Sequence, residues 1–521
     1  MSTETDKTTG AEQVHWDLTD LYASADDPAL KKDRNEVLSK ASAFAAEYKG
    51  KVSGLGAGEF RSMLQKYEEI LDLTGKIGSF SHLLWTTNTE NPKYGKLVQE
   101  ANELSSEIHQ MLVFLEVEWL QVEDERAKQL ISSEELAGYE HYLETSRQYK
   151  KHILSEKEEQ ILSAKKVTGR SAWNRFFDET LGSARFELDG EELTEQEALS
   201  KLHESDRELR KRAHSSLTKT FKSLSRQLTF VFNTLLADKY TNDKLRKYPT
   251  WITSRNLANE IAEETVEMLI DTVTGSYGLV QRFYRLKKRL LGYDELFDYD
   301  RYAPLRENRE RFHWQNARMT VLDSYHQFHP DMGTIAAKFF DDEWIDAAIK
   351  PGKRGGAYSA STVPSVHPYV FMNFDGKIRD VQTLAHELGH GVHQYLSLEQ
   401  GVLQAGTPLT TAETASVFGE MLVYQNLKRQ LDDPAEKLAL VIGKIDDTIA
   451  TVYRQVSMNR FENAIHIKRR EEGELTTEEF SSLWRAQQEQ LYGDSVTLTK
   501  EYDLWWCYIP HFLHTPGYVY A

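Results

Sequence analysis

The chain carries a single cysteine, Cys507, in 521 residues. That excludes an intrachain disulfide and is compatible with a reducing compartment. No run approaches the ~18 consecutive apolar residues that read as a membrane span. Met1 to Gln13 is polar and acidic, without the apolar stretch of a secretion signal. Basic residues are in deficit: 63 Lys and Arg stand against 81 Asp and Glu, a net charge of −18. Nucleic acids and anionic membranes are held by basic patches, so neither is expected as a partner. There is no internal repeat and no low-complexity tract. The glycine-rich stretch Gly352 to Gly356 (GKRGG) lacks the Gly-Lys-Ser/Thr ending of a phosphate-binding loop, and it reads instead as a loop leading into a strand. These absences point to a cytoplasmic globular protein, 40% hydrophobic and 28% charged. Its length suits roughly two to four domain-sized units.

Against this background one stretch stands out: HELGH, His386 to His390. Positions four apart stack on one face of an α-helix, so His386 and His390 can grip one metal ion. Zinc suits such a site, since it accepts three protein ligands and keeps one position open. A bound zinc lowers the pKa of water from about 15.7 to about 7, and Glu387, beside the first imidazole, is placed to take a proton from that water. The bland reading is an amphipathic helix whose histidines merely line a polar face. Context favours the metal. Val366 to Phe374 (VHPYVFMNF), closed by Asp375-Gly376, reads as a strand that could pair with a substrate backbone. From Ile378 to Leu398 apolar residues recur at helical spacing, at Val381, Leu384, Ala385, Leu388 and Val392.

The third ligand has to come from another segment. Leu396 occupies the position six residues after His390 where the metzincin pattern needs histidine. Glu413, 23 residues after His390, is the better candidate. A Gly- and Pro-bearing loop ending at Thr407-Pro408 lets a second helix, from Leu409 to about Lys428, turn back across the first. Glu420 lies two turns beyond Glu413 on the same face. It is either an acceptor for a ligand imidazole N–H or an ordinary solvated glutamate. His393 is either a neighbour of the site or a buried polar residue of the helix.

The stretch GGAYSASTVPSVHPYVFMNFDGKIRDVQTLAHELGHGVHQ (Gly355 to Gln394), followed by ETASVFGE (Glu413 to Glu420), resembles oligoendopeptidase F, which belongs with thimet oligopeptidase and neurolysin. Weaker matches are His15 to Tyr22 (HWDLTDLY), Ser254 to Asn259 (SRNLAN) and Ile509 to Phe512 (IPHF). The resemblance implies that His386, His390 and Glu413 bind one zinc per chain and that Glu387 is the general base. It also implies a mostly α-helical, clam-like zinc peptidase with a small β element beside the HELGH helix. Such enzymes cut short peptides within a deep channel. His511, Tyr518 and Tyr520 are candidates for orienting substrate and for hydrogen bonding the oxyanion, while an aromatic cluster with Trp505, Trp506 and Tyr508 is the alternative reading of that segment. Leu513 and Gly517 depart from the family pattern. Relatives also continue for several helical turns past Tyr518-Val519-Tyr520, so the catalytic domain is expected to be truncated at its C-terminus.

The expected organisation is a disordered lead over residues 1–14, an N-terminal helical domain over 15–195 and a catalytic zinc-peptidase domain over 196–521. Leu97 to Val122 and Glu134 to Leu162 read as scaffold helices, and Arg185 to Leu193 as a hairpin turning at Asp189-Gly190. The expected activity is cleavage of internal peptide bonds in short peptides. A zinc exopeptidase is the rival activity, although the Gly-x-Met-Glu-Asn motif of the gluzincin aminopeptidases is missing. A non-catalytic peptide-binding protein is the rival of another class. The intact Glu387 speaks against it, because binding alone needs no base.

Overall fold

The computed structural model describes residues 8–306 and 311–518. They are mostly helical, with short strands in two small sheets. Contacts sort the chain into two discontinuous units. One comprises Met1–Ala164 with Arg309–Gln430, the other Lys165–Asn308 with Leu431–Ala521. The boundary at 195/196 drawn from the sequence falls inside the second unit. Among the described residues no helix is long and apolar enough to cross a membrane.

In the first unit the helices Pro28–Tyr48, Ala57–Thr87 and Pro92–Gln121 form the scaffold. Two of them start on the same device: Asp27 and Asn91 accept the backbone N–H two residues on, and a proline follows each cap where its missing N–H costs nothing. The third buries Leu97, Ala101, Leu104, Ile108, Leu112 and Leu115, the expected stripe. The pattern over 134–162, by contrast, is broken into Glu134–Tyr139, Glu140–Arg147, Gln148–Lys151 and the start of Glu156–Lys166. Ser155 and Glu158 explain the last break. Glu158 accepts the Ser155 backbone N–H (2.9 Å), and that reciprocal cap begins a new helix.

Residues 8–14 depart from the disordered lead expected of their composition. Thr9 and Ala11 are buried, the Thr9 carbonyl accepts the Trp314 N–H (2.8 Å), and the Glu12 carboxylate takes the N–H groups of Thr9 and Gly10. Hydrogen bonds within the segment and one to Trp314, with the burial of Ala11, fix it although its composition is polar.

A three-stranded sheet completes this unit. Its central strand, Tyr369–Phe371, pairs in parallel with Ile345–Asp346 and antiparallel with Tyr358–Ala360. The strand expected over 366–374 is therefore shorter and has both edges filled, so it cannot accept a substrate backbone. Tyr358–Ala360, the strand next to the helix Ile378–Ser397, is an edge. The loop before it is pinned from below. The Lys353 side chain is 1% exposed, and its Nζ donates to Asp346, to the carbonyls of Ala348 and Met372, and lies over the Phe371 ring.

The second unit centres on the 39-residue helix Arg207–Leu245, whose Leu217, Phe221, Leu228 and Phe232 pack with Phe461, Trp484 and Trp506. Phe186–Leu188 and Glu191–Leu193 form the expected hairpin; Asp189 (φ 55°) and Gly190 (φ 90°) supply the turn. Pro434–Thr448, Gln455–Glu472 and Thr477–Tyr492 follow, with one π-helical turn at Ile449–Arg454.

Candidate active site

HELGH lies in the middle of the helix Ile378–Ser397. Val381, Leu384, Ala385 and Leu388 are fully buried on its inner face, and each buried leucine contributes about 1.5–3 kcal/mol. The face is thereby fixed, and His386 and His390 emerge together with ring centroids 5.0 Å apart.

The helix Leu409–Gln430 crosses the first at close range. A Cβ at Gly389 would lie 2.6 Å from the Ala415 carbonyl oxygen, so only glycine allows this approach. From the far side the Tyr325 hydroxyl donates to the Ala385 carbonyl (2.5 Å), passing through space that Gly419 leaves open. The crossing brings Glu413 to the histidines. One of its oxygens is 3.2 Å from His386 Nε2 and 3.5 Å from His390 Nε2. The second Glu413 contact that fixes this rotamer is the Ser416 hydroxyl, which donates to Oε2 (2.8 Å). Behind His386, a Glu420 oxygen stands 3.5 Å from Nδ1.

This donor set fits a metal ion. His386, His390 and Glu413 each offer one ligand atom, all within 4.8 Å of one another. Bonds of about 2.0–2.1 Å to a tetrahedral ion place neighbouring donors roughly 3.3–3.4 Å apart, and the two histidine–glutamate contacts bracket that spacing. The electrostatics agree. Burial opposes a charge on His386, but Glu413 and Glu420 beside its ring nitrogens outweigh it and push its pKa up to about 10. Hydrogen bonds from His386 and His390 hold the Glu413 carboxyl well below the usual carboxylate range. A site that draws positive charge this strongly suits a cation.

Glu387 is 7% exposed and outside the three-donor group, and burial raises its pKa. The edge strand Tyr358–Ala360 is tied to the same helix by Gln394, whose Oε1 accepts the Ser359 hydroxyl (2.7 Å) and whose amide reaches the Ser359 carbonyl (3.4 Å). His393 is half-buried and stays outside the donor group; burial and the charge of His390 lower its pKa. His511 and Tyr518 belong to the second unit, where their rings stack at 4.9 Å. Tyr520 lies outside the described residues. Sequence reasoning missed Ser359 and Gln394. Their only sequence signal is the SAS triplet beside Tyr358 and a polar residue one turn after His390.

The site is thus a His-His-Glu donor group on two crossed helices of a helical scaffold, and comparison with known proteins supplies the class. The model of Peptidase family M3 matches residues 200–521, and that of Oligopeptidase F matches residues 118–186. The chain belongs to peptidase family M3 and is of the oligoendopeptidase F type. It is 29% identical to Oligopeptidase PepF of Bacillus subtilis over 517 residues, covering 97% of this chain and 76% of that protein. Group B oligopeptidase PepB of Streptococcus agalactiae is 27% identical, with 96% and 84% covered. The crystal structure of oligoendopeptidase-F from Enterococcus faecium superposes with a TM-score of 0.69 at 22% identity, covering 94% of this chain and 85% of that one. PZ peptidase A with an inhibitor gives 0.75 at 16%, with 94% and 84% covered. The protein is thus a peptidase, and peptides are its substrates.

Proposed function

We propose that the protein is a zinc-dependent endopeptidase that hydrolyses internal bonds of short oligopeptides. The observation that carries this reading is the spacing of three donor atoms, 3.2 and 3.5 Å from Glu413 to the two imidazoles, with a buried carboxyl at Glu387 beside them. His386, His390 and Glu413 would hold the ion, and zinc so held supplies the Lewis acidity that acidifies water and polarises a carbonyl. Glu387 takes the proton of the attacking water on its carboxylate and passes it to the leaving amine nitrogen. Its burial, which raises its pKa, suits both halves of that transfer. Glu420 accepts the His386 Nδ1–H, which fixes the tautomer that leaves Nε2 free as a ligand. The edge strand Tyr358–Ala360 aligns an extended peptide by main-chain pairing, replacing the central strand first considered for that task. His511 and Tyr518 orient the substrate; this part rests on the family resemblance.

The test joins metal analysis to an assay with internally quenched peptides blocked at both ends. One zinc per chain and cleavage of the blocked peptides are expected. An enzyme that cuts only peptides with a free terminus is an exopeptidase, and one that binds without cutting is neither; each result ends the proposal.

A further inference from the structure

In the second unit a carboxyl is fully buried with a single hydrogen bond, near the cations Arg255 and Lys239. Glu462, in the helix Gln455–Glu472, is 0% exposed. One of its oxygens accepts the Gly517 backbone N–H at 2.8 Å, and the other has no hydrogen-bond partner. One turn on, His466 is 1% exposed and stacks flat on Trp251 (4.5 Å, 9°), with neither ring nitrogen hydrogen-bonded. Its Nε2 is 3.9 Å from Glu462, too far to satisfy the carboxyl. Burying an acid with one hydrogen bond is costly, and the bond it makes is the one to the Gly517 N–H.

That bond ends at the segment bearing His511 and Tyr518. The segment is anchored by the buried Phe512 and Leu513 side chains and by the His514 ring on Asp178 (2.9 Å), and its backbone is held as well. Arg170 donates to the carbonyls of Leu513 and His514, Arg255 to that of Pro516, and Glu462 takes the N–H of Gly517. Gly517 has φ +79°, and a Cβ there would meet Ile252 at 2.5 Å and Arg255 at 2.9 Å. Glycine is therefore required for the N–H to reach inward. Immediately beyond this contact, Tyr518 stacks on His511 (4.9 Å, 20°). Arg170 and Arg255 bind carbonyls from outside the turn; Glu462 alone among these three grips it from a fully buried position.

We infer that Glu462 is a positioning residue for turnover: its buried carboxyl fixes the 511–518 turn and thereby the places of the His511 and Tyr518 rings. The inference rests on the assignment of those two side chains to substrate orientation. Burial pushes the Glu462 carboxyl up to about 8, so it is largely neutral at pH 7. A glutamine, isosteric and neutral with the same carbonyl acceptor, should then replace it faithfully, whereas methionine keeps the volume and loses the acceptor.

The experiment measures two quantities on the full chain: amide exchange of the peptide spanning residues 511–518, and kcat and KM on one blocked peptide. Glu462→Met should speed exchange in that peptide. It should lower kcat by the factor seen in Tyr518→Phe, about 10²-fold for a lost hydrogen-bond donor in the transition state, with KM changed less than threefold. Combined with Tyr518→Phe it should add nothing further, and Glu462→Gln should restore both readouts. Gly517→Ala should reproduce the methionine variant, and it carries the test if that variant does not fold. Unchanged exchange overturns the inference, as does a kcat loss that multiplies with that of Tyr518→Phe or is shared by Glu462→Gln. If exchange rises but neither Tyr518→Phe nor His511→Ala lowers kcat, the segment takes no part in turnover. The inference then falls through that assignment rather than through the Glu462 bond.

Discussion

Gly389 lies against the backbone of Ala415 so closely that a Cβ at 389 would come within 2.6 Å of the Ala415 carbonyl oxygen. This contact sets the distance between the helix that carries two donors and the helix that carries the third. Gly389→Ala must push the helices apart, because the obstacle is backbone and cannot swing away. A displacement approaching 1 Å costs on the order of 10²-fold in rate at a preorganised site. The expected result is weaker zinc retention against a chelator together with a comparable fall in kcat/KM. Wild-type values for both would mean that the crossing does not set the donor geometry.

Replacing the base should separate chemistry from binding. Glu387→Gln is expected to keep its zinc, since Glu387 lies outside the donor group, and to lose about 10²–10⁴ in kcat, the usual range for a positioned general base. Metal analysis of the purified variant is the check. Loss of zinc would show that Glu387 is a ligand.

Glu420 offers a subtler case. It stands 3.5 Å from His386 Nδ1, on the opposite side of the ring from Glu413. Glu420→Ala should weaken metal affinity about 10–100-fold, as removal of an outer partner of a ligand imidazole does. Competition with a chromogenic chelator measures it. An unchanged constant would make Glu420 an ordinary helix glutamate.

The buried acid of the second unit makes a prediction about stability and pH. Burial raises the Glu462 carboxyl to about 8, against about 4.3 in an unfolded chain. Between those values the folded state holds a proton that the unfolded state has lost, so stability falls as pH rises through the window. The group's contribution is complete below about pH 4.3 and gone above about pH 8. Arg255 and Lys239 nearby reduce the effect without reversing it. Urea midpoints at pH 5, 6.5 and 8 should decline more steeply in the wild type than in Glu462→Gln. Parallel curves would show that Glu462 is already ionised at pH 5.

What the sequence revealed about this protein follows the range of the forces involved. The HELGH helix, the Leu409–Gln430 helix and the Asp189-Gly190 hairpin were legible because periodicity and turn chemistry act over a few residues. That Glu413 returns to the two histidines was legible from a loop signal implying a returning helix and from the resemblance of its segment. The strand over 366–374 was misjudged for the opposite reason. Its composition and the Asp375-Gly376 turn marked it as a strand, but whether a strand is central or an edge depends on Tyr358–Ala360 and Ile345–Asp346, which no local pattern assigns to it. The division into two units, each built from two separated stretches, was likewise invisible. So was the bond between Glu462 and Gly517, which joins residues 55 apart.

Lys353 gives the first unit a built-in reporter. Lysines are normally the most readily acylated side chains on a protein, but this one is enclosed by Asp346, two carbonyls and the Phe371 ring, and burial lowers its pKa. An amine-reactive label should therefore pass it by while marking its exposed neighbours, until the small sheet beside the Ile378–Ser397 helix opens. The time course of labelling at this single position would then count those openings directly, and it would reveal whether peptide occupancy makes them rarer.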